Sequence, residues 1–296
     1  MDKKISVVIN AFNEEQNIER ALESVKWASE VVVCDMNSTD KTAEVAKKKG
    51  AKVFYHKTVG FVEPARNFAI SKATGDWILI LDADEEIPQS LSKRLQELVK
   101  KKITSDFVEI PRKNIIFNKW IQNTGWWPDY QIRFFRKGSV HWNNKIHSKP
   151  DTKGAGLTLD SEEKLAILHN NYQTVALYLD RMNRYTEIQA EDLVKSGYRF
   201  NWHDIFEKPF TEFLSRYFAN YGYKDGLHGL SLSLLQGFSF LVVYLKVWQK
   251  TEFKEQDLEI KSFEDQAKKI GQDITFWINQ SNKPRGLKKF FKIFKK

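Results

Sequence analysis

Trp77-Ile78-Leu79-Ile80-Leu81-Asp82-Ala83-Asp84-Glu85-Glu86 is a continuous apolar run of strand length that stops abruptly at four carboxylates. Such a run suits a strand buried on both faces, as in a parallel sheet covered by helices. The carboxylates then fall at its carboxyl end, where open α/β sheets bind their ligands. In an extended chain Asp82 and Asp84 leave on the same face. Carboxylates held close repel unless a cation lies between them or one is protonated. Oxygen ligands of this kind suit Mg2+ or Mn2+. The alternative is an acidic strand end that caps the next helix.

Working outward, Ile5-Ser6-Val7-Val8-Ile9-Asn10 reads as a buried strand, with Ala11-Phe12-Asn13 as the loop after it. Asn13 is placed to cap a helix from Glu14 to about Trp27. Val31-Val32-Val33-Cys34-Asp35 is a second strand ending on an acid, and Ser38-Thr39-Asp40 opens a helix that Gly50 closes. Lys52 to His56 forms a third strand, and a helix from about Val62 to Ala73 leads to Gly75 and the Trp77 strand. This alternation with short connections predicts a mostly parallel sheet with helices on both faces. A dehydrogenase-type dinucleotide site is excluded, because Asn10-Ala11-Phe12-Asn13-Glu14 has none of the glycines that its phosphate turn needs. No Walker-type phosphate loop is present either. Strand ends bearing Asn, Asp and paired Asp suggest side chains that hold a base, a ribose and a metal-bound diphosphate.

The composition is that of a globular chain, with 42% hydrophobic and 29% charged residues. The net charge of +9 is uneven. Residues 1–110 hold 17 Lys/Arg against 18 Asp/Glu, whereas seven basic residues and no acid lie in the last fourteen. Basic character is therefore a property of the tail, and nucleic acid is not an expected partner. A single unpaired cysteine, Cys34, fits a reducing cytoplasm. No secretory signal pattern precedes the first strand.

Ile5–Ile9 with Asn13-Glu14-Glu15, Val33-Cys34-Asp35 with Ser38-Thr39-Asp40, Ala65-Arg66-Asn67 with Gly75-Asp76, and Asp82-Ala83-Asp84 together resemble the inverting glycosyltransferases of family 2. Gly125-Trp126-Trp127-Pro128-Asp129-Tyr130-Gln131-Ile132-Arg133-Phe134-Phe135-Arg136 is similar to the acceptor-side motif of a subgroup that includes bacterial enzymes of lipopolysaccharide inner core. The resemblance implies a GT-A fold (a mixed α/β sheet flanked by helices), a nucleotide-diphosphate sugar donor and Mn2+ or Mg2+. It also implies that Asn10, Phe12 and Glu14 line the nucleotide pocket and that Asp35 accepts a hydrogen bond from the base, with uracil expected. Arg66 would reach towards the diphosphate, Asp82 would face the ribose or sugar, and Asp84 would bind the metal.

Displacement at an anomeric carbon needs a carboxylate to take the acceptor's proton. Asp129 is the candidate, since the tryptophans before it could raise its pKa and stack on sugars. Its other reading is a Pro-Asp turn residue. Gln131 and Arg133 alternate with Ile132 and could face the donor phosphates, or solvent at a sheet edge. His147 is followed by serine where relatives often have His-Glu; it is expected as a third metal ligand or donor contact, or as a surface imidazole.

From about residue 171 the pattern turns helical, which divides the chain into a catalytic part (1–170) and a helical part (171–296). Residues 226–245 carry no formal charge over a spanning length, although glycines and serines dilute their hydropathy. A helix over 226–248 at the membrane surface is expected. Residues 283–296 mix Lys with Phe and Ile at helical spacing, which suits anionic lipid. These features together predict a peripheral enzyme on the cytoplasmic face of the inner membrane. It would pass a sugar to a lipid-linked saccharide acceptor, with lipopolysaccharide core foremost. The alternatives are a polyprenyl-phosphate or capsular acceptor, or a non-catalytic nucleotide-sugar-binding protein.

Overall fold

A computed structural model describes residues 3–57, 63–143 and 149–281. The chain divides into two compact units, one of residues 1–120 and 126–171, the other of 121–125 and 172–296.

In the first unit the elements run β1 (Ile5–Ala11), α1 (Ile18–Ser24), β2 (Glu30–Asp35), α2 (Thr42–Lys48), β3 (Lys52–Tyr55), α3 (Glu63–Lys72) and β4 (Trp77–Asp82). They continue as β5 (Glu85–Glu86), α4 (Gln89–Lys100), β6 (Phe107–Ile116), β7 (Lys119–Trp120), β8 (Asp129–Arg136), β9 (Val140–His141), β10 (Asp151–Thr152), β11 (Gly156–Thr158) and β12 (Ile167–Asn170). The main sheet has the order β3-β2-β1-β4-β8-β6-β12-β5. Its first four strands are parallel, and β8 joins β4 and β6 antiparallel. This is the mixed sheet with flanking helices that the sequence predicts.

Both faces of β1 and β4 are buried, which is why their sequences run apolar without alternation. Val7, Ile9, Leu79 and Leu81 enter one core with α1 and α4, while Val8, Ile78 and Ile80 enter a second with Ala65 and Ala69 of α3. Since β2 lies on one side of β1 and β4 on the other, the order reverses at β1. In open α/β sheets a ligand crevice opens beyond the carboxyl ends at such a point. Asn10 stands there in register with Cys34 and Asp82.

Two local expectations are corrected. Helix α1 begins at Ile18, and Asn13 is no cap: it takes φ 56°, a left-handed conformation that asparagine tolerates. Its side-chain oxygen instead accepts from the Thr39 N–H at 2.8 Å. The chain is also not extended through the acidic cluster, for β4 ends at Asp82 and residues 83–84 form a turn. The two-residue alternation therefore does not carry from Asp82 to Asp84.

The second unit is helical, as expected: α5 (Val175–Lys195), α6 (Asp204–Leu214), α7 (Leu227–Lys250) and α8 (Ile260–Ser281). Gly197, with φ 82°, follows α5. Buried Asp225 accepts from the Asn123 N–H at 3.0 Å and the Thr124 hydroxyl at 2.9 Å, which fixes the 121–125 turn. Glycines let α7 pack closely, since a Cβ on Gly237 would stand 2.8 Å from the Pro209 carbonyl.

Candidate active site

The loops after β1 and β2 are stitched to each other. Asn13 N–H donates to Ser38 Oγ at 3.0 Å, Glu14 N–H to Thr42 Oγ1 at 2.8 Å, and Lys41 N–H to Glu15 Oε2 at 3.0 Å. Glu14 accepts from Asn17 Nδ2 at 2.7 Å, and half-exposed Phe12 stands beside it in the loop. Asp35 Oδ2 accepts from the Ser38 N–H at 3.1 Å. Its Oδ1, and both polar atoms of the Asn10 amide, are buried without a hydrogen-bond partner among the described residues. Buried polar atoms are ordinarily paired. At a strand-end crevice, unpaired ones suit a polar ligand such as a base and ribose.

Beyond Asn10 lies a charged network. Arg66 Nη2 donates to Asp82 Oδ1 at 2.9 Å, and Arg133 Nη2 donates to Asp82 Oδ2 and, at 2.9 Å, to Glu85 Oε1. Arg112 Nη1 reaches the same Glu85 oxygen at 3.3 Å, and its Nε and Nη2 grip Asp129 Oδ2 at 2.8 and 2.6 Å. Asn114 Nδ2 adds a bond to Asp129 Oδ2 at 3.1 Å, and Gln131 Nε2 one to Oδ1 at 2.8 Å. Arg133 is thus a buried clamp between two carboxylates, and Gln131 holds Asp129.

Burial alone would push the Asp82 carboxyl up, but the guanidinium charges of Arg133 and Arg66 outweigh it and hold it far below the usual carboxylate range. The expectation of a raised pKa at Asp129 is overturned. Burial does act upward there, but Arg112, with Asn114 and Gln131, outweighs it and lowers the pKa. Two N–H groups of Arg112 converge on Asp129 Oδ2, and that charge outweighs the burial.

Asp84 faces His169, a residue that the sequence reading missed. Asn114 Nδ2 donates to the Trp126 carbonyl at 3.1 Å as well as to Asp129, so Asn114 Oδ1 is the acceptor for His169 Nδ1 at 2.6 Å. His169 Nε2 lies 3.6 Å from Asp84 Oδ1, beyond hydrogen-bond distance. A carboxylate and an imidazole are both common ligands of divalent ions, and Asn114 orients the ring from behind. The pair suits a divalent ion that completes its shell from the substrate. Among the described residues no group of three or more His, Cys, Asp or Glu is arranged as a metal site. His147 lies outside the described residues. The signal for the missed groups was the alternation in β6: Arg112 and Asn114 are two apart on a strand, and so share a face.

Residues 6–156 match the sequence profile of the family described as Glycosyl transferase family 2. An uncharacterised glycosyltransferase of Rickettsia typhi is 30% identical over 80% of this chain and 84% of its own length. LpsC, a lipopolysaccharide core biosynthesis glycosyltransferase of Rhizobium meliloti, is 23% identical over 84% of this chain and 94% of its own. A mannosyltransferase from Pyrobaculum calidifontis, solved with GDP-Man and Mn2+, covers 94% of this chain and 81% of its own at 14% identity, with a TM-score of 0.46.

Proposed function

Because the chain belongs to glycosyltransferase family 2, we propose that it moves one sugar, with inversion, from a UDP-sugar to a lipid-linked acceptor of lipopolysaccharide core or a related surface glycan. The mixed sheet is the GT-A arrangement, and the groups assigned to the donor would lie at the carboxyl ends of β1, β2 and β4. The observation that carries the reading is the juxtaposition there of unpaired polar atoms on Asn10 and Asp35 with the facing pair Asp84 and His169. Asp35 Oδ1 is an acceptor suited to the N3–H of uracil, and Asn10 offers both a donor and an acceptor. Phe12 and Glu14 border that pocket.

Asp84 and His169 would hold Mn2+ or Mg2+, with His147 as a further candidate ligand. A divalent ion supplies positive charge for the departing diphosphate. Asp129 takes the acceptor's proton. Its Oδ2 is fully engaged by Arg112 and Asn114, but Oδ1 accepts one bond, which leaves a lone pair for the incoming hydroxyl. The acceptor oxygen bonds to the anomeric carbon as the bond from that carbon to the diphosphate oxygen breaks. The electron pair leaves with UDP, and the proton passes to Asp129. A carboxylate of lowered pKa stays ionised throughout the neutral range, so it orients the hydroxyl at once and accepts the proton late. Arg66 and Arg133 keep Asp82 ionised beside the donor sugar.

Support for a membrane-surface location comes from α7. It is long and apolar enough to cross a membrane by length and composition, and only 33% of its most apolar window is buried. Leu227, Leu234, Phe238 and Leu245 lie exposed along it. We place the enzyme on the cytoplasmic face of the inner membrane, with this stripe against anionic lipid. The basic segment 283–296, outside the described residues, would add charge attraction.

Thermal shift with UDP, GDP and CMP, each with and without Mn2+, tests the donor. UDP with Mn2+ is expected to stabilise the protein, and Asp84→Ala to remove the Mn2+-dependent part. A shift with GDP or CMP but none with UDP refutes the uracil assignment.

A further inference from the structure

On the donor and acceptor roles proposed above, we propose that Glu85 is a positioning residue: a buried carboxylate that sets the donor-side aspartate and the acceptor-side base in one frame. Glu85 is 0% exposed, so it touches neither substrate nor solvent. Its Oε2 accepts from the backbone N–H of Asp82 at 2.9 Å, which pins the end of β4. Its Oε1 is shared by Arg133 at 2.9 Å and Arg112 at 3.3 Å. Each arginine then continues to a different aspartate, Arg133 to Asp82 and Arg112 to Asp129.

One side chain is therefore the hub of two arms that end at opposite sides of the reacting bond. The hub is also fixed through its backbone, since β5 pairs with β12 and places Glu85 opposite His169. The two arginines repel each other and would separate without a negative charge between them. An apolar residue here would leave Arg133 with Asp82 and Arg112 with Asp129 but remove the one charge that the two guanidinium groups share. The consequence is geometric. Displacement at an anomeric carbon requires the base and the leaving group on opposite faces of the sugar, and a misplacement of about 1 Å costs about 100-fold in rate.

Glu85→Gln keeps the volume and can still accept from the Asp82 N–H, but it loses the charge that holds the arginines together. The assay is hydrolysis of whichever of UDP-glucose, UDP-galactose and UDP-N-acetylglucosamine the wild type cleaves fastest in Mn2+, with UDP affinity measured by calorimetry. The expected result is a kcat about 100-fold lower, with KM and UDP affinity within about threefold. The Glu85→Gln/Arg112→Gln double variant is expected within about threefold of the worse single variant, whereas independent effects would multiply to about 10,000-fold. An unchanged kcat, a multiplicative double variant, or equal losses in kcat and UDP affinity would each overturn the proposal. If Glu85→Gln fails to fold, Glu85→Asp, which keeps the charge but withdraws it by one methylene from both arginines, carries the same test of kcat against UDP affinity. A wild type that binds no UDP fails earlier and refutes the donor reading on which this rests.

Discussion

Replacing Arg112 by glutamine probes the ion pair that defines the acceptor side. The Arg112 side chain is 17% exposed, Asp129 21% and Glu85 not at all. Removing one partner of a buried pair costs about 3–5 kcal/mol, because the remaining charge is left in a poor solvent. The low end applies here. Glu85 keeps Arg133 at 2.9 Å, and Asp129 keeps Asn114 and Gln131. A loss of about 3 kcal/mol corresponds to a fall in Tm of about 6–12 °C for a unit of this size. The pH dependence gives a sharper check. Arg112 lowers the folded-state pKa of Asp129 below its unfolded value of about 3.9. The stability from that pair is therefore fully present above the unfolded pKa and is lost as pH falls through the folded one. The Tm gap between wild type and Arg112→Gln should be flat from about pH 5 to 8 and narrow below about pH 4. Scanning calorimetry across that range measures it. A gap equivalent to less than about 1 kcal/mol, or one that widens on acidification, refutes the assignment of Arg112 as the group that holds Asp129.

Asn114→Leu leaves His169 without the acceptor that orients it, so the Mn2+-dependent gain in UDP affinity should fall about 10–100-fold by calorimetry. In the second unit, a Cβ on Gly229 would stand 1.8 Å from the Gly222 carbonyl, so Gly229→Ala should lower Tm through about 1–3 kcal/mol of overpacking. Gly271→Ala on α8 meets nothing within 4 Å; it should raise Tm slightly, by the difference of up to about 1 kcal/mol in helix propensity. Leu234→Glu with Phe238→Glu should abolish sedimentation with vesicles containing anionic phospholipid and leave Tm and UDP binding unchanged.

The sheet was legible because burial on both faces writes itself into single runs. Val31–Cys34 and Trp77–Leu81 allow no other reading of comparable length, and Gly50, at φ 84°, marks the end of α2 as its type suggests. Asn13 was misread because asparagine favours both helix caps and left-handed loop positions, and only the partner strand's loop decides between them. The surroundings of Asp129 could not be read locally at all. Arg112 lies 17 residues earlier and reaches it through the antiparallel pairing of β6 and β8, where the two are opposite each other. Trp126 and Trp127 were adjacent in sequence, so they attracted an argument about desolvation that a non-local charge reverses. His169 is hidden for the same reason. Only the pairing of β12 with both β6 and β5 brings it to Asn114 and the acidic turn.

Charge balance links that geometry to the proposed chemistry. Among the described residues, Arg66, Arg112 and Arg133 form ion pairs with Asp82, Glu85 and Asp129. Three guanidinium groups against three carboxylates balance, so the network by itself adds little net positive charge for a diphosphate. On the metal role proposed above, a dication held by Asp84 and His169 would supply that positive charge without displacing any arginine from those carboxylates. The arginines are thus better understood as the frame than as the grip on the donor. The frame keeps Asp82 and Asp129 ionised and still, and the sign of the field at the leaving group is left to the ion. Donor affinity should accordingly depend steeply on Mn2+, while the thermal stability of the donor-free protein should depend on it only through occupancy of that one site.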